Sequence, residues 1–395
     1  MTKIAFFYAT FPRPTETFVR RELRQLSKLG LIPDLFSIWK GRKLWEGREV
    51  HLFPFWNLFS LFVWIPFWAW KKPEVFKLIL SHLWAHPCPN LQNWNETFLG
   101  LACALVQAKK IRQVNYSRIH AVWATMPATT ALGCHLLTGI PFSIGAHAYD
   151  VFRNGGDWLL NLKLSRAIYV RTSSQSTAQR LLHLGTPKEN LKLIHRSLPS
   201  VEPPVRFEPE NSKCLNLLSV GRLVEKKGYF LLLDILTETK RRGIPFQMKI
   251  IGGGPLKHGL HREVQRLSLQ NHVAFLDHLD EGEIRKFYED SDIFLFTGII
   301  SANGDRDGIP NVIPEAMSHG LLVLASNRAG SSEAFIDRES GFSLNPYCKD
   351  EWVDILNQYY LFSYQFLEMR KSAWSRAQSH FSNEVNCKKL KNLFL

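Results

Sequence analysis

At 395 residues the chain is longer than one ordinary core and fits two domains; its 45% apolar and 21% charged residues are globular values that exclude global disorder. The formal net charge of +14 sits in one half: residues 1–200 carry 25 Lys and Arg against 10 Asp and Glu, whereas 201–395 carry 24 against 25. Ten of the 12 Trp share that basic half, which reads either as contact with an anionic, amphipathic surface or as a solubilising charge excess over a Trp-rich core.

In chain order, residues 3–8 predict a buried parallel strand, 18–29 a helix stopped by Gly30, and 35–38 a second strand, the βαβ opening of a doubly wound sheet. Residues 53–70, followed by Lys71 and Lys72, form an aromatic run with three readings. It approaches the length of a membrane span, but Pro54, Asn57, Ser60 and Pro66 interrupt it and its Trp are spread throughout. An interfacial helix dipping Trp and Phe into a leaflet, with the lysines on headgroups, is the second reading. A buried helix or acceptor-pocket wall is the third. Strands are then expected at 121–123 and 142–144 around a small-residue helix at 128–137, and another at 167–170. Residues 199–213, with Pro199, Pro203, Pro204 and Pro209, read as a linker. Alternation then restarts: strand 215–220, helix 228–241, strands 248–251 and 293–296, helix 310–319 ended by Gly320, and strand 321–325, with helical spacing again in 374–395. The expected organisation is a first domain at 1–198, the linker at 199–213, a second domain at 214–373 and a terminal helix at 374–395. That is an α/β chain of two facing Rossmann-like, doubly wound domains with a cleft between them.

The most informative stretch is 305–317. Asp307 and Glu315 lie eight positions apart, one on a loop and one in or just after the first turn of the helix that follows. The first amides of a helix have no internal partner, so Gly308, Ile309, Pro310, Asn311 and Val312 lead into a ready anion site. One carboxylate there reaches sugar hydroxyls and the other holds a ribose. Directly after the strand 215–220, Gly221, Arg222 and Lys227 lie on a loop entering a helix, where a planar fork and a point charge converge on a diphosphate. In the first half, His147 ends a strand, with Asp150 placed to orient its loop. Thr15, Glu16 and Thr17 read as a functional loop or as the start of a helix.

Asp290-Ser291-Asp292 and Asp305-Arg306-Asp307 both fit D-x-D, a metal–diphosphate motif. Asp290 and Asp292 precede a buried strand and read as flanking residues; at Asp305 a metal would duplicate the charge of Arg222 and Lys227, so neither metal nor other cofactor is expected. The six Cys are scattered without a CxxC pair, consistent with reduced thiols of a cytoplasmic protein and against zinc; the start of the chain is too short in apolar length for a signal peptide. Aromatics clustered in one apolar run, with site motifs in the neutral half, argue against a nucleic-acid binder, so no nucleic-acid partner is expected; steeply salt-dependent binding to DNA or RNA would revive that reading.

These motifs resemble the family-4 retaining glycosyltransferases of the GT-B fold, of the type that builds exopolysaccharides. The family signature is Glu, seven residues, Glu; this chain has Asp307 at the first position, one methylene shorter. The resemblance implies that Arg222 and Lys227, rather than Lys226, hold the donor pyrophosphate. It implies that Leu279 offers backbone to the base, that His147 faces the donor sugar, and that Thr15, Glu16 and Asp150 lie on the acceptor side. Gly252-Gly253-Gly254-Pro255 and Glu333 match further loops of the family, and 374–395 is expected to pack back on the first domain. The family's N-G-[VI]-D motif before the linker is missing, and Ile194-His195-Arg196-Ser197-Leu198 stands in its place. The expected activity is metal-independent, retaining transfer from a UDP- or GDP-linked sugar, with His147, Asp307, Arg222 and Lys227 as the catalytic set. The expected acceptor is a lipid-linked or membrane-surface glycan, with the protein peripheral on the anionic inner face of the membrane. The alternatives are a non-catalytic GT-B-like binding protein and a sugar-nucleotide epimerase.

Overall fold

The structure is a computed structural model and describes residues 3–13, 16–198, 207 and 214–395. The expected linker at 199–213 therefore lies, apart from Phe207, outside the described residues, as does Thr15. The chain divides into two compact units, 1–197 with 384–395, and 198–383.

The first unit is built on an eight-stranded sheet: β1 (Ile4–Phe11), β2 (Asp34–Gly41), β3 (Leu44–Trp45), β4 (Arg48–Leu52), β5 (Arg118–Ala121), β6 (Phe142–Gly145), β7 (Val170–Thr172) and β8 (Leu191–Leu193), in the order β3-β4-β2-β1-β5-β6-β7-β8. All neighbours run parallel except the short β3–β4 hairpin. β1 is apolar on both faces because both are covered, as a central parallel strand must be. The strand expected at 121–123 lies earlier, at β5, and that expected at 167–170 begins only at Val170. At β5 the apolar run continues past the strand end into Val122, and at β7 it precedes the strand start, so hydrophobicity alone misplaces both boundaries. The helix Met126–Thr138 packs against the long helix Leu91–Val114. Their close approach needs small residues: a Cβ at Gly133 would lie 2.5 Å from Ala104 Cβ.

Residues 55–85 settle the three readings of the aromatic run. Among the described residues no helix is long and apolar enough to cross a membrane. Phe55–Ser60 forms a short 3-10 turn, followed by helices Leu61–Lys71 and Pro73–Ala85. Trp68 is buried, its indole N–H donating to Leu105 O (2.9 Å), but Phe62, Trp70 and Trp84 are 84%, 82% and 93% exposed. The segment is neither a span nor a buried helix. It presents an apolar face to the surroundings of its unit, larger than scattered surface residues account for.

The second unit has a six-stranded parallel sheet: β9 (Leu215–Val220), β10 (Phe246–Ile251), β11 (Val273–Leu276), β12 (Ile293–Phe296), β13 (Leu322–Ser326) and β14 (Phe342–Leu344), in the order β11-β10-β9-β12-β13-β14. The end of the chain differs from one helix at 374–395. Leu367–His380 stays on the second unit against Val312–Ser318, and only 384–395 groups with the first. There Phe394 packs between Phe6 and His120, with ring centroids 5.0 Å from each.

Candidate active site

In the second sheet the winding reverses between β9 and β12. Loops leaving the carboxyl ends of two such strands diverge and open a crevice, the usual ligand position of doubly wound sheets. The loop after β9 carries Gly221, Arg222 and Lys227; the loop after β12 carries Asp305, Asp307 and Gly308. The two are knitted together where Gly228 (φ 68°) passes Thr297: a Cβ there would lie 1.9 Å from the Thr297 carbonyl oxygen, so only glycine fits. Thr297 Oγ1 donates to Gly228 O (2.9 Å), and Ile299 N–H donates to Lys226 O (2.9 Å).

That junction aims two lysines at two carboxylates. Lys227 Nζ lies 2.7 Å from Asp307 Oδ2, while Lys226 Nζ lies 3.0 Å from Asp305 Oδ1 and 3.4 Å from Asp307 Oδ1. Burial opposes ionisation of Asp307, but the charges of Lys227 and Lys226 outweigh it and hold the carboxyl below its usual range. Burial likewise lowers Lys227, with Asp307 opposing. Asp307 is therefore ionised at neutral pH. Lys227 also stands 4.8 Å over the Phe296 ring. Arg222 is exposed at the start of the same loop, its carbonyl oxygen accepting the Val224 N–H (2.9 Å).

The other expected donor residues fall around this centre. Gly221 O accepts from Tyr229 Oη (3.1 Å). Gly330 N–H donates to Asp307 O (3.3 Å), and a Cβ at Gly330 would lie 2.6 Å from Gly308 O, so the Glu333 loop lies against the carboxylate loop. Ile309 and Val312 pack on the core beneath, and Pro310 is buried. The helix expected at 310–319 is shorter, Val312–Ser318, because Pro310 and Asn311 form its entry turn. Glu315 N–H donates to Asn311 O (3.1 Å), and Glu315 Oε2 accepts from Tyr288 Oη (3.3 Å). Leu279 is half-buried on the loop after β11. Asp292 is structural: its Oδ2 accepts the Asn216 N–H (2.9 Å) and anchors the start of β9, while Asp290 ends the helix Glu281–Glu289.

In the first unit the winding reverses between β1 and β5. His147 follows β6 and is buried. Asp150 Oδ2 accepts the backbone N–H of His147 (3.0 Å) and of Ala124 (3.2 Å), fixing two loops at once. Arg196 donates from Nη2 to His147 Nε2 (2.6 Å) and from Nη1 to Glu22 Oε2 (2.8 Å); Arg171 pairs with the other oxygen of Glu22 at 2.5 Å. A guanidinium can only donate, so Nε2 is unprotonated and the ring proton sits on Nδ1, 3.5 Å from Ser173 Oγ. Burial first, and then Arg196 and Arg171, push His147 well below the ordinary histidine range. Arg196 also covers the Phe18 ring at 4.3 Å and the Trp123 ring at 5.7 Å. Glu16, at the entry of the helix Thr17–Lys28, is half-buried, with Arg13 Nη1 3.4 Å from its Oε1. Glu22, Arg171 and Arg196 escape motif reading because they come from three distant segments. The one sequence signal is Arg196, standing where the expected N-G-[VI]-D motif is missing.

Two Rossmann-like parallel sheets, the second carrying clustered cations and carboxylates at its switch point, define the GT-B class of fold. Residues 205–378 match the family described as glycosyl transferases group 1, so the chain carries a glycosyltransferase domain of that group. WcaL of Salmonella typhimurium, named for colanic acid biosynthesis, is 23% identical over 367 residues, 86% of each chain. The amylovoran biosynthesis glycosyltransferase AmsK of Erwinia amylovora is 29% identical over 163 residues, 41% of this chain and 40% of that one. Anabaena HepE, solved in complex with UDP and glucose, superposes with a TM-score of 0.71 at 16% identity over 100% of this chain and 99% of that one, a likeness of fold. What the family match shows of this chain is that domain, in its second unit.

Proposed function

We propose that the chain transfers a sugar from a nucleotide diphosphate sugar to a lipid-linked or membrane-surface glycan, with retention of configuration and without a metal. The observation that carries this reading is the ion-paired group Lys226, Lys227, Asp305 and Asp307 at the switch point, beside the exposed Arg222. Charge develops on the departing diphosphate, and cations fixed before the reaction stabilise it at little reorganisation cost. Lys227 and Arg222 take that role, which leaves no charge for a metal to supply. Asp307 is held ionised by two lysines and is a poor base, so the acceptor proton goes elsewhere. The bond from the sugar carbon to the diphosphate oxygen breaks. The acceptor oxygen bonds to that carbon from the same face, and its proton passes to the departing oxygen. Glu315 holds the ribose, and the neutral ring of His147 helps position the sugar. HepE, solved with UDP and glucose, supports a uridine diphosphate donor.

Binding of UDP- and GDP-sugars in EDTA, read by calorimetry, tests this. Wild type binds one donor class selectively, and Arg222→Ala weakens it about ten- to a hundredfold, the value of a charge-assisted hydrogen bond. Failure of wild type to bind any nucleotide sugar sinks the proposal. Binding without turnover toward any acceptor favours a non-catalytic protein instead.

The exposed aromatics of 55–85, with Lys71 and Lys77 on the same helices and Lys72 between them, support docking on an anionic inner leaflet. Replacing Phe62, Trp70 and Trp84 together by Ser is expected to reduce co-sedimentation with phosphatidylglycerol vesicles at least tenfold, since each buried aromatic contributes about 1.5–3 kcal/mol. Equal binding by the variant would remove this face as the docking surface.

A further inference from the structure

Of the two D-x-D sequences, the second lies on the loop after β12, and both of its carboxylates face one ammonium. Lys226 Nζ lies 3.0 Å from Asp305 Oδ1 and 3.4 Å from Asp307 Oδ1, and donates to the carbonyl oxygen of Arg306 between them (3.5 Å). Lys226 is 5% exposed, so this is not a surface pair of little consequence. The transfer chemistry above gives Lys226 no contact with the donor; Arg222 and Lys227 take the diphosphate.

The fold holds this ammonium from both sides. The Lys226 carbonyl accepts from Ile299 N–H (2.9 Å), and Ala302 N–H donates to Oε1 of the preceding Glu225 (3.4 Å). The carboxylate loop then closes on itself. Gly304 N–H donates to Ser301 O (2.8 Å), Ser301 N–H to Asp305 O (2.9 Å), and Asp305 N–H to Asn303 Oδ1 (3.0 Å). Two short backbone segments thus fix one ammonium and two carboxylates relative to one another.

In a D-x-D metal motif a divalent cation lies between the two carboxylates, neutralises them and ties them to the diphosphate. Here a point charge on a flexible four-carbon stem fills that place. Asp307 is then divided between two lysines, Lys226 at Oδ1 and Lys227 at Oδ2 (2.7 Å). Both lysines hold its carboxyl below the usual range. The share that Lys226 takes is charge that Lys227 would otherwise have to balance alone.

We propose that Lys226 is a positioning residue that stands in for the divalent cation of a D-x-D motif, holding Asp305 and Asp307 in place and keeping Lys227 available to the diphosphate. The proposal rests on the metal-independent transfer reading above and names the group that makes a metal dispensable. Two carboxylates face two lysines in this group. Loss of Lys226 leaves the carboxylates in excess where an anionic donor must bind, so the effect falls on donor KM before kcat.

The test is Mn²⁺ binding to the full chain, read by electron paramagnetic resonance without donor, together with donor kinetics in EDTA and in Mn²⁺. Lys226→Ala vacates the place between the carboxylates and is expected to bind one Mn²⁺ at least tenfold more tightly than wild type. Adding Asp305→Asn abolishes that site. Lys226→Met fills the space without charge and gains no site. Both single variants raise donor KM about tenfold or more in EDTA, the value of a charge-assisted contact, with kcat within about threefold. Mn²⁺ restores KM in Lys226→Ala only. A lysine that merely braced the loop would lower the melting temperature of both variants and give neither a Mn²⁺ site nor a rescue. Equal Mn²⁺ binding by wild type and Lys226→Ala overturns the proposal, as does a wild-type Mn²⁺ site lost in Asp305→Asn. Lys226→Met covers an alanine variant that does not fold: an unchanged donor KM in it also overturns the proposal. Donor binding by wild type alongside any of these results leaves the transfer reading intact. A Mn²⁺ site gained in Lys226→Ala, with no nucleotide sugar bound by wild type, keeps the stand-in and sinks the transfer reading.

Discussion

Replacing Lys227 by Met is expected to lower sugar transfer about 10²–10³-fold at saturating donor, the usual loss when one preorganised charge-stabilising group is removed. The same substitution leaves Asp307 facing only Lys226, 3.4 Å away, in a site where burial already penalises its charge. Stability is expected to fall by about 1–3 kcal/mol, the cost of an under-satisfied buried polar group. Adding Asp307→Asn removes the stranded charge, so the double variant recovers melting temperature but not rate. Initial rates and thermal melts on the two variants separate the contributions. If Lys227→Met retains the wild-type rate, Lys227 is a structural partner of Asp307 and the leaving group is stabilised elsewhere.

Arg196→Met is expected to reduce turnover roughly ten- to a hundredfold, the value of a hydrogen bond to a charged group, and to change the shape of the pH–rate curve. In wild type His147 is hemmed by Arg196, Arg171 and His120, with Trp123 across its face, Ser173 at Nδ1 and Asp150 on its backbone N–H. It stays neutral through the ordinary histidine range. Without Arg196 its proton affinity rises, and an acid limb moves toward neutrality. Arg196→Lys retains a cation and keeps the limb near its wild-type place. The stability sign follows from the same shift. A folded-state pKa below the unfolded value means that stability from the neutral ring is complete above about pH 6.5 and erodes as pH falls, because the unfolded chain then binds the proton more readily. Arg196→Met should erode less steeply. An unchanged pH–rate curve would mean that Arg196 is only a packing residue.

Much of the second unit is legible residue by residue. The run at 293–296 is continuously apolar and that at 215–220 is broken only by Asn216 and Ser219; both are bounded by charge and turn residues, and the strands begin and end there because both faces of a parallel strand are covered. The first unit is less legible. The helices Pro73–Ala85 and Leu91–Val114 mix Trp, Leu, Asn and Lys on surfaces that are not all buried, so no clean helical stripe marks them. Lys226 illustrates a different limit. Its neighbour Lys227 fits the family pattern, yet Lys226 is also buried and paired with Asp305, a contact across the two loops that no local spacing reveals.

Local chemistry was enough for the fold class, the alternation of strands and helices, the basic Trp-rich half, and the placing of Arg222, Lys227 and Asp307 on loops with Glu315 on the helix that follows. These depend on period, turn residues and short motifs, which are properties of contiguous chain. Tertiary structure alone decided three things. It turned the aromatic run outward instead of across a membrane or into the core. It joined Glu22, Arg171, Arg196 and His147 into one buried network. It left one carboxylate oxygen each of Asp150 and Asp157 buried without a hydrogen-bond partner among the described residues. Each depends on which distant segments meet and what remains uncovered when they do, and that is set by the closing of the whole core around the sheets.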